Sequence, residues 1–232
     1  MKKLGIVGGM GPQSTIHYYD SIIYKVHDIS GKKCFPEISL ESVDLFRVVD
    51  LCKEERYDEL TYYLLKAIKN LYASGAEFAA LSANTAHIVF DRLKELSPIP
   101  LVSIVESTCN KVLQDGFKTV GLLGTVFTME KEFYKKPFKE NNIRLVIPKK
   151  EEREFINDKI YNELQYNTTD TVIVNRFIEI IERMKNEDGI EAVILGCTEL
   201  PMILNNENSP VPCLDTVKIH IIEIIRNLMS EN

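Results

Sequence analysis

Three short segments carry side chains whose types and spacing could do chemistry. Gly196-Cys197-Thr198-Glu199 comes after the apolar run Ala192-Val193-Ile194-Leu195, which reads as a buried strand. A thiol at the carboxyl end of such a strand, where a helical turn begins, has free backbone N–H groups nearby and can be held as a thiolate able to take up a proton. Glu199, if close, pulls the other way. The second segment, Asn84-Thr85-Ala86-His87, comes after the apolar run Phe78-Ala79-Ala80-Leu81. Its amide, hydroxyl and backbone N–H groups suit an anion. His87 is the nearby titratable group about one helical turn beyond residue 83, unless it is a packed or capping histidine. The third segment is the glycine cluster Gly8-Gly9-Met10-Gly11-Pro12, a turn after the apolar stretch at residues 3–7.

These segments need elements to hold them. Residues 3–7, 78–81, 121–123, 145–147, 192–195 and 212–214 read as strands. Residues 56–74 place Leu60, Leu64, Ile68 and Leu71 at three- and four-residue steps, the stripe of an amphipathic helix, with Gly75 as its C-cap. Further helices are expected over 133–140, 155–164, 174–185 and 217–229, the last with Val217, Ile221, Ile224, Ile225 and Leu228 on one face. Strands alternating with helices imply an α/β fold with mainly parallel sheets covered on both sides.

The chain also repeats itself. Leu4-Gly5-Ile6-Val7-Gly8 matches Val120-Gly121-Leu122-Leu123-Gly124, residues 77–85 match 191–199, and Ser97-Pro98-Ile99-Pro100 matches Ser209-Pro210-Val211-Pro212. Gly5 pairs with Gly121, Ala83 with Cys197 and Ser97 with Ser209, so the spacing drifts only from 116 to 114 to 112 residues. Three matches in one order favour two similarly folded halves related by a pseudo-twofold. Two equivalent strand ends facing across a cleft would place one group on each side of a ligand, beyond the carboxyl ends of the strands. The expected lobes are residues 1–116 plus 212–232, and 117–211. The counterpart of Cys197 is then Ala83, which can neither give nor take a proton.

Composition narrows the class. The 232 residues are 45% hydrophobic and 27% charged, with 28 basic against 34 acidic side chains and a formal net charge of −6. That excludes collagen-like, disordered and membrane-embedded chains and argues against nucleic-acid or anionic-membrane partners. The apolar start breaks at glycines before a signal-peptide core could form, and five cysteines without a C-x-x-C pair suggest free thiols in a cytoplasmic protein. Gly9-x-Gly11 lacks the third glycine or alanine and the later acidic residue of a dinucleotide-binding turn.

Taken together, the segments resemble the aspartate/glutamate racemase family, which works without pyridoxal phosphate. The similarity spans essentially the whole chain and rests on Gly8–Pro12, Asn84-Thr85-Ala86-His87, Leu122-Leu123-Gly124-Thr125 with Thr128, Gly196-Cys197-Thr198-Glu199, and Asp215-Thr216. The resemblance implies two Rossmann-like lobes with an amino-acid site in the cleft between them, no cofactor, no metal, and usually a homodimer. It also implies an isomerase that moves the α-proton of aspartate or glutamate by a two-base cycle, one group removing it and another returning it on the opposite face. Cys197 is then one base, and residue 83 is the place of the other. Donors for the α-carboxylate come from Asn84, Thr85, Thr125, Thr128 and Thr198. Met10, Gln13 and Glu199 line the site. Arg47 is the candidate for the second carboxylate, since a guanidinium holds it bidentately.

Two departures stand out. By this resemblance, relatives usually carry cysteine at position 83, and some that prefer L-aspartate or L-glutamate carry threonine. Where the family often places a basic group a turn beyond a tyrosine like Tyr161, this chain has Gln165. Ala83 reads as an inactivated form, with a natural one-base or binding-only relative as the alternative. Maleate isomerase-like and arylmalonate decarboxylase-like enzymes, which share an enolate-stabilising pocket, remain rivals.

Overall fold

The structure, a computed structural model, describes residues 1–166 and 168–230. It divides into two compact units. Unit 1 comprises Met1–Ser107 with the segment from His220 on, and unit 2 comprises Thr108–Ile219.

Unit 1 contains β1 (Leu4–Gly8), α1 (Pro12–Ile29), β2 (Ile38–Ser42), α2 (Leu45–Lys53), α3 (Tyr57–Ala73), β3 (Phe78–Leu81), α4 (Phe90–Leu96) and β4 (Leu101–Val102). It also holds the start of α5 (Ile104–Gln114). Unit 2 contains β5 (Thr119–Leu123), α6 (Val126–Glu130), α7 (Glu132–Glu140), β6 (Arg144–Val146), α8 (Lys150–Asn162), α9 (Thr171–Arg183), β7 (Ala192–Leu195) and β8 (Cys213–Asp215). The last helix, α10 (Thr216–Met229), begins in unit 2 and ends in unit 1.

The two sheets have one topology. Every pairing is parallel, in the order β2-β1-β3-β4 in unit 1 and β6-β5-β7-β8 in unit 2. The registers agree as well: Val7 pairs with Leu81, and Leu123 with Leu195. Past each pair the same bond recurs, Ser82 N–H to Val7 O and Gly196 N–H to Leu123 O. The repeat seen in the residues is therefore a repeat of backbone hydrogen bonding. In β1, β3 and β7 every residue is buried, so side chains alternating between faces are covered on both.

The seams differ from those expected at both ends. β8 completes the second sheet by pairing with β7, so it goes with unit 2 rather than with the first lobe. The earlier seam falls inside α5, between Ser107 and Thr108, rather than after residue 116. Expected elements are otherwise found with small shifts. α8 starts at Lys150 rather than at residue 155, helped by the backbone N–H of Lys149 donating to Glu152 Oε2 at 2.8 Å. α9 ends at Arg183, where a π turn, Met184–Asp188, takes over.

Gly9 shapes the turn after β1. Its φ is +85°, and an added Cβ would fall on the carbonyl oxygen of Val43. Gly9→Ala is expected to lower stability by about 3 kcal/mol or more, through strain plus the forced shift of the β2–α2 turn. Urea unfolding measures this, and an unchanged midpoint would contradict the packing described.

Candidate active site

In a parallel sheet all strands end at one edge, and the candidate residues of each unit lie just past that edge. In unit 1, Met10 and Gln13 come after β1, Arg47 after β2, and Ala83, Asn84 and Thr85 after β3. In unit 2, Thr125 and Thr128 come after β5, while Cys197, Thr198 and Glu199 come after β7.

A hydroxyl network ties the turn after β1 to the turn after β3. Gly9 N–H donates to Thr15 Oγ1 at 3.0 Å, and Thr15 Oγ1 lies 3.2 Å from Ser82 Oγ. Ser14 Oγ donates to the Ser82 carbonyl at 2.9 Å. The start of α1 is thereby pinned to the residue before Ala83. Ser14, Thr15 and Ser82 are buried and fall outside the expected site residues, because serine and threonine after a glycine turn read as an ordinary helix start. Met10 and Asn84 are buried, whereas Gln13 is exposed. Thr85 opens a 3-10 turn, Thr85–Val89.

Arg47 is exposed on α2. Its guanidinium lies 4.3 Å from the centroid of the Tyr63 ring, a cation–π contact that holds the group without neutralising it. Asp44, the N-cap of α2, accepts from Phe46 N–H at 2.9 Å through its carboxylate, and its own backbone N–H donates to the Tyr63 hydroxyl at 2.9 Å. The short α2 is thus fixed to α3 through the ring that carries Arg47.

His87 is fully engaged. Ile104 N–H donates to Nε2 at 3.2 Å, which leaves Nδ1 as the protonated nitrogen, donating to the Ala83 carbonyl at 2.9 Å. Burial lowers its pKa to about 4. His220 is equally enclosed, between the Tyr18 hydroxyl at 2.8 Å and the Val102 carbonyl at 3.0 Å, and burial first, then His87, lowers its pKa to about 3. Both imidazoles are therefore neutral near pH 7 and serve as hydrogen-bonding groups rather than as acids.

The two histidines set an acid limit. Their folded pKa values lie below the usual 6.5, so between that value and about 4 the unfolded chain binds more protons than the folded one. Stability is complete above the unfolded value and falls as the pH drops below it. Between pH 7 and pH 5 the loss should reach about 2 kcal/mol for each histidine as an upper figure. Urea unfolding at the two pH values reads it, and equal midpoints would refute it.

In unit 2, Thr125 caps α6. Its Oγ1 accepts from Thr128 N–H at 3.2 Å and lies 3.1 Å from Thr128 Oγ1, both groups buried. Asn157 on α8, not expected from the sequence, accepts from Val126 N–H at 2.9 Å. The ends of β7 and β8 are joined by Thr216 Oγ1 donating to the Leu195 carbonyl at 2.9 Å.

Cys197 is part-buried in the turn after β7, and its Sγ–H donates to Glu199 Oε2 at 2.8 Å. Thr198 Oγ1 donates to the same oxygen at 2.9 Å. Burial, then the charge of Glu199, pushes the thiol pKa well above its ordinary value. The expected lowering by a helix N-terminus is not found. Beyond the turn lies only a three-residue 3-10 segment, Leu200–Met202, too short to build a dipole, and Glu199 sits against the sulfur. Two backbone N–H groups, of Thr198 and Glu199, act in the lowering direction but are outweighed. The raised pKa keeps the proton on sulfur, so the thiol can act as a base only after an uphill transfer of that proton to the neighbouring carboxylate.

Tyr161 lies exposed on α8, and Gln165 lies exposed in the 3-10 turn Leu164–Tyr166. Among the described residues no helix is long and apolar enough to cross a membrane.

Proteins similar to this chain include amino-acid racemases. The broad specificity amino-acid racemase of Bacillus subtilis (strain 168) is 27% identical over 221 residues, covering 92% of each chain. A Yersinia pestis protein described as a putative Asp/Glu racemase superposes with a TM-score of 0.94 at 31% identity, over 99% of this chain and 100% of the other. An aspartate racemase homologue from Pyrococcus horikoshii OT3 gives 0.87 at 33% identity, with the same coverage. The family model for Asp/Glu/hydantoin racemases matches residues 7–224. With two equivalent parallel sheets, a thiol–carboxylate pair at the end of β7 and relatives that are isomerases, this chain belongs to the Asp/Glu/hydantoin racemase family.

Proposed function

We propose that the chain is a cofactor-independent enzyme acting at the α-carbon of aspartate, glutamate or a closely related amino acid. The observation that carries this reading is the Cys197 thiol donating to Glu199. In the proposed cycle the Sγ proton passes to Glu199, the thiolate takes the α-proton, and the electron pair left on carbon spreads into the α-carboxylate. Donors for that charge are assigned to Asn84 and Thr85 of unit 1 and to Thr125, Thr128 and Thr198 of unit 2, with Met10 and Gln13 as further substrate-binding residues. Arg47, exposed and stacked on Tyr63, holds the second carboxylate of the substrate.

Ala83 has no proton to give, so a proton removed by Cys197 returns from Cys197 to the same face. The chain as it stands therefore exchanges the α-proton of one enantiomer with solvent and racemises poorly. A homodimer in the cytoplasm belongs to the same proposal. Proton NMR of D- and L-aspartate and D- and L-glutamate in D2O tests it: one hand should lose its α-proton signal while keeping its configuration. A second reading, favoured by Ala83 alone, is an amino-acid binding protein. Tight binding by calorimetry with no exchange of either hand would replace the enzymatic reading with that one.

A further inference from the structure

Beneath the turn after β3, two imidazoles and two other rings form a layer to which the proposed proton transfer gives no role. His87 stacks on Phe90 at 4.8 Å with an interplanar angle of 11°, and meets His220 edge-on at 6.3 Å and 80°. His220 meets Tyr18 edge-on at 5.6 Å. Rotating the His87 ring would break its bonds to both Ala83 and Ile104, and the stacking on Phe90 and His220 holds the ring plane. The bond to residue 83 is made to its carbonyl, so the hold does not depend on which side chain stands there. It does fix the direction in which the Cα–Cβ bond of residue 83 leaves the strand end.

We infer that His87 is a positioning residue: through its Nδ1–H it anchors the backbone of residue 83, and through Nε2 it locks that anchor to the start of α5, so that any acid or base placed at 83 is aimed at the substrate. This rests on the racemase reading for its purpose, though not for its geometry. Ala83 is not among the residues with positive φ, and while Ser14 and Thr15 hold the preceding Ser82, His87 is the side chain that holds the Ala83 carbonyl itself. A misplacement of about 1 Å at a reacting group costs on the order of 100-fold in rate.

The test has two arms. In the unmodified chain, long-range nitrogen–proton NMR should show the Nδ1–H form of His87, with no titration down to about pH 5. An Nε2–H form, or titration near the ordinary histidine value, overturns the inference. In the second arm, turnover is compared among Ala83→Cys, Ala83→Cys/His87→Phe and Ala83→Cys/His87→Asn. Phenylalanine keeps the stacked ring but loses both hydrogen bonds. It should lower kcat about 10- to 100-fold with KM little changed. Asparagine can still offer an N–H to the carbonyl of residue 83 and should recover part of the loss. Equal kcat in all three overturns the inference. If the phenylalanine variant does not fold, the asparagine variant and the NMR arm decide. If Ala83→Cys itself shows no turnover, the racemase reading fails, and the inference stands or falls on the tautomer and on the carbonyl carbon shift of residue 83 with and without His87→Asn.

Discussion

Ala83→Cys is expected to convert one-sided proton exchange into racemisation, raising turnover between enantiomers by about 100- to 10,000-fold, the usual worth of a positioned general acid or base. The change adds a single sulfur at a position whose backbone any L-residue can adopt. The turn that receives it is already fixed by the bonds from Ser14 to the Ser82 carbonyl and from His87 to the Ala83 carbonyl, so no new framework has to form. Ala83→Thr should also restore turnover, with a hydroxyl as the proton donor in place of a thiol. Polarimetry or chiral chromatography over a panel of amino acids measures both. No gain with either substitution, on aspartate, glutamate or any other amino acid, would remove the racemase reading.

The second large effect concerns the thiol itself. Cys197→Ser should abolish α-deuterium incorporation, by about 100- to 10,000-fold, because a hydroxyl gives up its proton far less readily than a thiol. Serine is nearly the same shape and can still donate to Glu199, so substrate binding and thermal stability should hardly move. That separation distinguishes a lost base from a damaged fold. If the serine variant exchanged the α-proton as fast as the parent, Cys197 would not be the base, and proton transfer through the Cys197–Glu199 pair would be wrong.

Some of this architecture is legible in the sequence, and the rest is hidden for identifiable reasons. Phe78–Leu81 and Ala192–Leu195 can be read with their correct bounds because both are unbroken apolar runs, as strands covered on two faces must be. β2 escapes such a reading because Ser39 and Glu41 interrupt it, and it lies at the sheet edge with no residue fully buried. α1 escapes it because its buried stripe runs through Ser14 and Thr15 before reaching Tyr18, Ile22 and Val26. At the site, the internal repeat pairs Ala83 with Cys197 on residues alone. The direction of the thiol shift depends on how the chain turns after Glu199, which no spacing rule fixes, and the tertiary partners Ser82 and Asn157 carry no signature in one dimension. Gly196 shows where the halves have diverged: an added Cβ would lie 2.9 Å from the Leu123 carbonyl, so the serine tolerated at position 82 has no room at its counterpart.

The discontinuity of unit 1 has a consequence for biosynthesis. Its first 107 residues leave the ribosome well before α10, yet that helix supplies the enclosed His220, the apolar Ile221, Ile224 and Leu228, and the Leu228 carbonyl that receives the N–H of Lys2. Unit 2, by contrast, is one uninterrupted stretch. The amino-terminal stretch of unit 1 is therefore synthesised without its last helix while all of unit 2 is made before that helix ends, so the contact of His220 with His87, next to the turn at residue 83, is expected to form late.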